Sequence, residues 1–127
     1  MTPMPSTVLI AEDDEDVREL VAQRLAAAGY QTVTVDNGNA ALTAANLQRP
    51  DLIVLDIDMP GLDGLTVCQQ LQGLSRTSNI PVLILSARSR DLDRTHGRAM
   101  GASEYLAKPF DSADLVERVG QLLAGAH

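Results

Sequence analysis

Asp56 and Asp58 stand one residue apart in the stretch LDIDMPGLDG, where the aliphatic run Leu52–Leu55 ends in a carboxylate. A second acidic group, Glu12-Asp13-Asp14, follows another short aliphatic run, Val8–Ala11. Ser86 closes a third run, Val82–Leu85, and Lys108, the only lysine of the chain, lies just past Glu104–Leu106. Carboxylates brought together repel and raise one another's pKa unless a cation is present. A hard divalent ion resolves this, and Mg2+ suits one or two carboxylates completed by a backbone carbonyl, water and phosphate oxygens. Lys108 adds a flexible point charge able to pair with phosphate, and Ser86 a hydroxyl for a phosphoryl oxygen. Such a set suits phosphoryl transfer, where catalysis is mostly positioning and charge stabilisation. A carboxylate is itself a competent phosphoryl acceptor, forming an acyl phosphate.

The elements that must gather these residues are legible in the hydrophobic pattern. Five short β-branched or aliphatic runs read as strands: Val8–Ala11, Thr32–Val35, Leu52–Leu55, Val82–Leu85 and Glu104–Leu106. Between them lie segments with helical spacing. The first places Val17, Leu20, Val21, Leu25 and Ala28 on one face and stops at Gly29. Ala40–Leu47, Leu65–Gln72 and Asp91–Met100 are the middle helices. The last carries Leu115, Val119, Leu122 and Leu123, with Asp111-Ser112 able to cap it. Continuous apolar strands alternating with helices predict a doubly wound α/β domain, a parallel sheet covered on both faces by right-handed crossovers. In such sheets the ligand site lies beyond the carboxyl ends of the strands. Glu12, Asp13, Asp14, Asp56, Asp58, Ser86 and Lys108 therefore all fall at one edge. Singly, each reads as a solvated loop residue or a helix cap; together that reading loses its force.

Composition sets the outer bounds. The 127 residues are 45% apolar, enough for one domain with a real core, and aromatics are few. A net charge of −7 opposes direct binding to nucleic acid or to an anionic membrane. The single cysteine, Cys68, cannot form an internal disulfide, and on the face of Leu65 and Leu71 it reads as core. No apolar run approaches the length of a membrane span, and the start lacks the features of a secretory signal, so a cytoplasmic location is expected. Residues 1–6 and 125–127 read as short tails about a single domain over 7–124, with no output domain in this chain.

The motifs EDD at Glu12–Asp14, D-x-x-M-P-x-x-D-G at Asp56–Gly64, Ser86-Ala87 and G-A-S-E-Y-L-A-K-P-F at Gly101–Phe110 occur in order at strand ends. In these the chain resembles the receiver domain of two-component response regulators over Thr7–Ala124. The resemblance implies a flavodoxin-like (βα)5 fold with strand order 2-1-3-4-5. It implies that Asp56 accepts a phosphoryl group from a histidine kinase or phosphotransfer protein in a Mg2+-dependent reaction, Mn2+ being able to substitute. The domain then signals to an output domain or effector, catalysing only its own phosphorylation and slow autodephosphorylation. Asp13, Asp56 and the backbone carbonyl of Asp58 would hold the metal, with Glu12 helping through water. Lys108 would pair with the phosphoryl group and precede a cis peptide bond at Pro109. Ser86 and Tyr105 would form the switch, the ring turning inward as the hydroxyl moves toward the phosphoryl group.

A rival reading starts from Asp56-Ile57-Asp58, which also matches the D-x-D of the haloacid dehalogenase-like phosphatases, where the first Asp is nucleophile and the second general acid/base. Motif order opposes it, since in that family D-x-D lies on the first strand. A pseudo-receiver acting only as a binding module is opposed by the presence of every expected reactive residue. Two further expectations follow from the resemblance. Asp58 and Arg88 flank the path of the attacking water and would tune the lifetime of the phosphorylated state, Asp58 pairing with Arg88 when unphosphorylated. The plain alternative for Asp58 is a solvated loop carboxylate. The face of the expected Asp91–Met100 helix, the last strand and the last helix would support a weak phosphorylation-dependent homodimer. Arg94 with Asp114 and Glu104 with Arg118 would pair across subunits and Val116 would supply the apolar contact, Thr95 and Arg98 standing where apolar residues are usual.

Overall fold

A computed structural model describes residues 5–59, 61–87 and 103–125 of the chain. The elements follow in the order β1 (Thr7–Ala11), α1 (Glu15–Ala27), β2 (Gln31–Val35), α2 (Gly38–Gln48), β3 (Leu52–Asp56), α3 (Gly64–Gln72), β4 (Val82–Ser86), β5 (Glu104–Ala107) and α4 (Ser112–Gly125). The expected helix over Asp91–Met100 lies outside the described residues, as do Arg88, Arg94, Thr95 and Arg98. All five strands pair in parallel in the order β2-β1-β3-β4-β5, the predicted doubly wound arrangement.

Side chains alternate across the strands, and each set finds cover. Leu9, Ala11, Ile53, Leu55, Val82 and Ile84 face α2 and α3, packing with Ala41, Ala45, Val67, Cys68 and Leu71. Val8, Ile10, Leu52, Val54, Leu83 and Leu85 face the other way, onto Val21 and Leu25 of α1 and Leu115 and Val119 of α4. Every residue of β3 and β4 is buried, because these strands are central and covered on both sides. Full burial of an aliphatic side chain contributes about 1.5–3 kcal/mol, so these two strands form the rigid floor on which the site stands.

Helix ends obey local chemistry. Asp14 accepts from the N–H groups of Asp16 and Val17 and caps α1, and Asp63 accepts from Thr66 N and caps α3. Asp111 accepts from Ala113 N ahead of α4. Gly29, with φ of 101°, takes the left-handed conformation that closes α1 at low cost. Two expectations need correcting: Leu20, assigned by spacing to the buried face of α1, is 38% exposed, and Ala28, assigned to the same face, is exposed at the C-cap. The buried stripe of α1 is narrower than the pattern suggested, with Val21 and Leu25 filling it, and Leu20 lies instead beside Pro109 and Phe110.

Candidate functional site

The strand register brings the site together. Asp56 is the last residue of β3 and stands opposite Leu85, one position before Ser86 at the end of β4. Ser86 in turn stands opposite Ala107, so Lys108 emerges immediately beyond β5, its N–H donating to Ser86 O at 2.7 Å. Glu12 follows β1 directly, and its N–H donates to Val35 O at the end of β2. Residues almost a hundred positions apart therefore meet over the centre of the sheet.

Their environments differ in a way that sequence alone leaves open. Glu12, Asp56 and Ser86 are buried, whereas Asp13 and Asp58 are exposed. The Lys108 ammonium donates to Glu12 Oε1 at 2.6 Å and to Asp56 Oδ1 at 3.3 Å. Asp56 Oδ1 also accepts from Asp58 N at 3.1 Å, and Glu12 Oε2 from Asp14 N at 3.3 Å. The guanidinium of Arg18 reaches back from α1 to the carbonyls of Glu12 and Asp13, at 3.0 and 3.4 Å.

Burial is the largest influence on Glu12, Asp56 and the half-buried Lys108, and the neighbours decide the outcome. Burial and the contact with Asp56 push Glu12 up to about 7, against the pull of Lys108. Burial would raise Asp56 as well, but the hydrogen bond with Glu12, the Asp58 N–H and Lys108 together hold it below the usual carboxylate range. Burial would lower Lys108, but its two acidic partners outweigh this and raise it. In the metal-free protein Asp56 is thus the ionised member of the pair, with Glu12 holding a proton to near neutrality.

This division has a measurable consequence. Glu12 binds its proton more tightly folded than unfolded, so its contribution to stability is complete below about pH 4.5 and is lost as pH rises through about 7. Asp56 has the opposite sign, its contribution being lost only as pH falls through its lowered value. We predict that the metal-free melting temperature declines between about pH 5 and 7.5, and that saturating Mg2+ flattens the decline because a cation takes the proton's place. Melting curves across that range, with and without Mg2+, read this directly, and equal slopes in both series would refute it.

The donor set fits a hard divalent ion. One oxygen from each of Glu12, Asp13 and Asp56 lies within 4.8 Å of the others, and the held proton on Glu12 marks a surplus of negative charge. The Lys108–Pro109 peptide bond is cis. Tyr105 is 4% exposed and packs in the cluster with Ile84 and Leu55, so its ring is already inward in this structure. Glu104, Asp114 and Arg118 come together within the one chain, Arg118 meeting Glu104 Oε1 at 3.3 Å and Asp114 Oδ1 at 3.1 Å. Val116 is half-buried against the core. The expected partners Arg88 and Arg94 lie outside the described residues.

Arg18 escaped the sequence reading, because a lone arginine on a helix reads as a solvated charge. The available signal was its place one turn into a helix that opens with acids, directly after the Glu12-Asp13-Asp14 group.

The sheet order and the acid–lysine cluster define a class, and comparison with known proteins agrees. Residues 8–120 match the response regulator receiver domain family. The chain is 45% identical over 116 residues to the transcriptional regulatory protein PrrA of Mycobacterium tuberculosis, covering 91% of this chain and 49% of that one. It is 40% identical over 116 residues to the transcriptional regulatory protein YrkP of Bacillus subtilis, covering 91% and 48%. Among solved structures, a response regulator from Chloroflexus aurantiacus superposes with a TM-score of 0.90 at 37% identity, covering 94% of this chain and 98% of that one. The receiver domain of sensor histidine kinase PA1611 from Pseudomonas aeruginosa, which holds a magnesium ion in its active-site cleft, superposes with a TM-score of 0.87 at 28% identity over 94% and 98% of the two chains. This chain belongs to the response regulator receiver family and is a receiver domain of the two-component type. It spans about half the length of the curated relatives it matches. Among the described residues no helix is long and apolar enough to cross a membrane.

Proposed function

We propose that Asp56 takes a phosphoryl group from the phosphohistidine of a histidine kinase or phosphotransfer protein, and that the change is read by an output domain or effector. The observation that carries this is the Lys108 ammonium set between Asp56 and Glu12, with Asp13 close by at the sheet edge. Asp13, Asp56 and the Asp58 carbonyl would hold Mg2+ or Mn2+, with Glu12 acting through water. When bound, the ion offsets charge on the phosphoryl oxygens.

The residues of the chain divide the remaining work. The lowered pKa of Asp56 keeps its carboxylate ionised, so an oxygen lone pair is available to attack phosphorus while the phosphorus–imidazole bond breaks and its electrons return to the donor ring. The product is an acyl phosphate on Asp56. Lys108 exchanges its carboxylate partners for phosphoryl oxygens, and Ser86 offers its hydroxyl. The phosphoryl group draws the Ser86 hydroxyl toward it and favours the inward Tyr105 ring over an outward one, a packing element with two states biased by one group. An apolar hollow of about 350 Å3 lined by Val17, Leu20, Ala87, Pro109 and Phe110 lies beside Lys108. The donor protein approaches across it, since Lys108, which contacts the Asp56 carboxylate, forms part of its wall.

Acetyl phosphate supplied with Mg2+ should load one phosphoryl group per chain, removable by hydroxylamine and absent when the metal is chelated. Failure to load under these conditions would overturn the reading in favour of a module that only binds.

The exposed Asp58 side chain is assigned to lifetime control with Arg88. It either repels the phosphoryl charge or orients the attacking water, and both shorten the phosphorylated state. Asp58→Asn is expected to slow dephosphorylation several-fold; an unchanged decay rate would leave Asp58 a solvated loop carboxylate. The homodimer remains weak in this reading. Arg118 is engaged by Glu104 and Asp114 of its own chain, so a cross-subunit pair exchanges existing contacts, and exposed pairs contribute only about 0–1 kcal/mol each.

A further inference from the structure

Arg18 is misplaced by the rules of helix electrostatics. It lies one turn into α1, whose first turn carries Glu15 and Asp16, as the positive end of a helix favours. Helical side chains lean toward the N-terminus, so this guanidinium is carried back toward that positive end. It arrives at the one place where backbone oxygens compensate it, donating through a single nitrogen to Glu12 O at 3.0 Å and Asp13 O at 3.4 Å. A local rule broken in favour of a contact with the acidic segment suggests a role in the site.

The acidic segment needs such a clamp. Glu12 is anchored on both sides, its N–H on Val35 O and its carboxylate on Lys108 and Asp14 N. Asp14 is fixed by its capping bonds. Asp13, between them, is exposed, yet its carboxylate must stay within ligand distance of Glu12 and Asp56. The carbonyls on either side of the Asp13 N–Cα unit are those of Glu12 and Asp13 itself, and Arg18 holds both. Fixing them fixes the backbone from which the Asp13 side chain departs.

We propose that Arg18 is a positioning residue for the divalent-cation site, clamping the Glu12 and Asp13 carbonyls so that the Asp13 carboxylate faces Asp56. This rests on the phosphoacceptor reading only for the identity of the ion, since the clamp acts before any phosphoryl group arrives. Groups that orient ligands without touching the metal commonly affect affinity by roughly 10–100-fold. A residue required only for folding would lower the melting temperature and leave metal affinity alone.

The test is Mg2+ titration by calorimetry on the unphosphorylated chain in wild type, Arg18→Ala and Arg18→Lys, each with a melting curve in chelator. Arg18→Ala is expected to weaken Mg2+ binding about tenfold with its metal-free melting temperature close to wild type. Arg18→Lys should recover part of the loss, because an ammonium can reach one carbonyl. Mg2+ affinity of both variants within about twofold of wild type, well below the effect expected of such a group, would overturn the proposal. Should wild type bind Mg2+ yet take no phosphoryl group from acetyl phosphate, the phosphoacceptor reading fails while the clamp stands.

Discussion

Asp56→Asn should abolish phosphoryl loading from acetyl phosphate while leaving the fold intact, and should flatten the decline of metal-free stability between about pH 5 and 7.5. The first effect is chemical. An amide has no ionised oxygen to attack phosphorus, and the other carboxylates in reach are a partly protonated Glu12 and an exposed Asp13. The second effect follows from crowding. Glu12 is pushed up to about 7 by burial and by Asp56, so folding at neutral pH confines two acids and one ammonium where one acid and one ammonium would balance. Removing the charge of Asp56 leaves Glu12 paired with Lys108 alone, and its pKa should fall toward the ordinary range as the repulsion goes. Asn fills nearly the same volume and its side-chain oxygen can still accept from Asp58 N, so no cavity opens. Intact-mass measurement after acetyl phosphate treatment reads the first effect, and metal-free melting curves across that pH range read the second. An undiminished phosphoryl signal in the variant would remove Asp56 from its assigned role.

These effects come from geometry that was only partly legible in the sequence. Asp56, Ser86 and Lys108 could be placed because aliphatic runs end beside them and parallel sheets collect such ends at one edge. Each observed strand extends its predicted run by one residue, a difference set by the neighbour: Asp56 joins β3 through Leu85, and Ser86 joins β4 through Ala107. Side-chain depth was not legible. Glu12 and Asp13 are adjacent acids, yet one is fully buried and the other exposed: the bond from Glu12 N to Val35 O carries the sheet ladder through Glu12, and successive side chains of extended backbone point to opposite sides. Arg118 shows both sides of the problem. Its pair with Asp114 is readable from the i, i+4 spacing, but its contact with Glu104 needs β5 beside α4 and competes with the cross-subunit pairing expected there. Leu20 failed as a core residue because helical spacing fixes which face a residue shares, but the packed sheet fixes how wide that face is.

Gly64→Ala should be the most damaging conservative substitution in the described residues around the site, costing about 3 kcal/mol or more and impairing phosphoryl loading with it. Gly64 opens α3 and is buried, its N–H donating to Ile57 O at 3.1 Å. That bond draws the start of the helix down onto the backbone just after β3. A Cβ there would overlap the Asp56 carbonyl oxygen and would stand 2.7 Å from Ile57 Cα and 3.0 Å from the Asp56 carbonyl carbon. All three neighbours are backbone atoms of the most buried part of the chain, where Leu52–Asp56 is held by β1 and β4 on either side. They cannot yield as a flexible side chain would, so either α3 lifts off, exposing Val67, Cys68 and Leu71, or the segment carrying Asp56 shifts. The second outcome moves the acceptor carboxylate relative to Lys108 and the Asp58 N–H, where displacements of an ångström suffice to lose catalytic geometry. Chemical denaturation reads the stability loss, and loading by acetyl phosphate under conditions where the variant is folded reads the displacement. A variant as stable as wild type would show that α3 is not seated on β3 through this glycine.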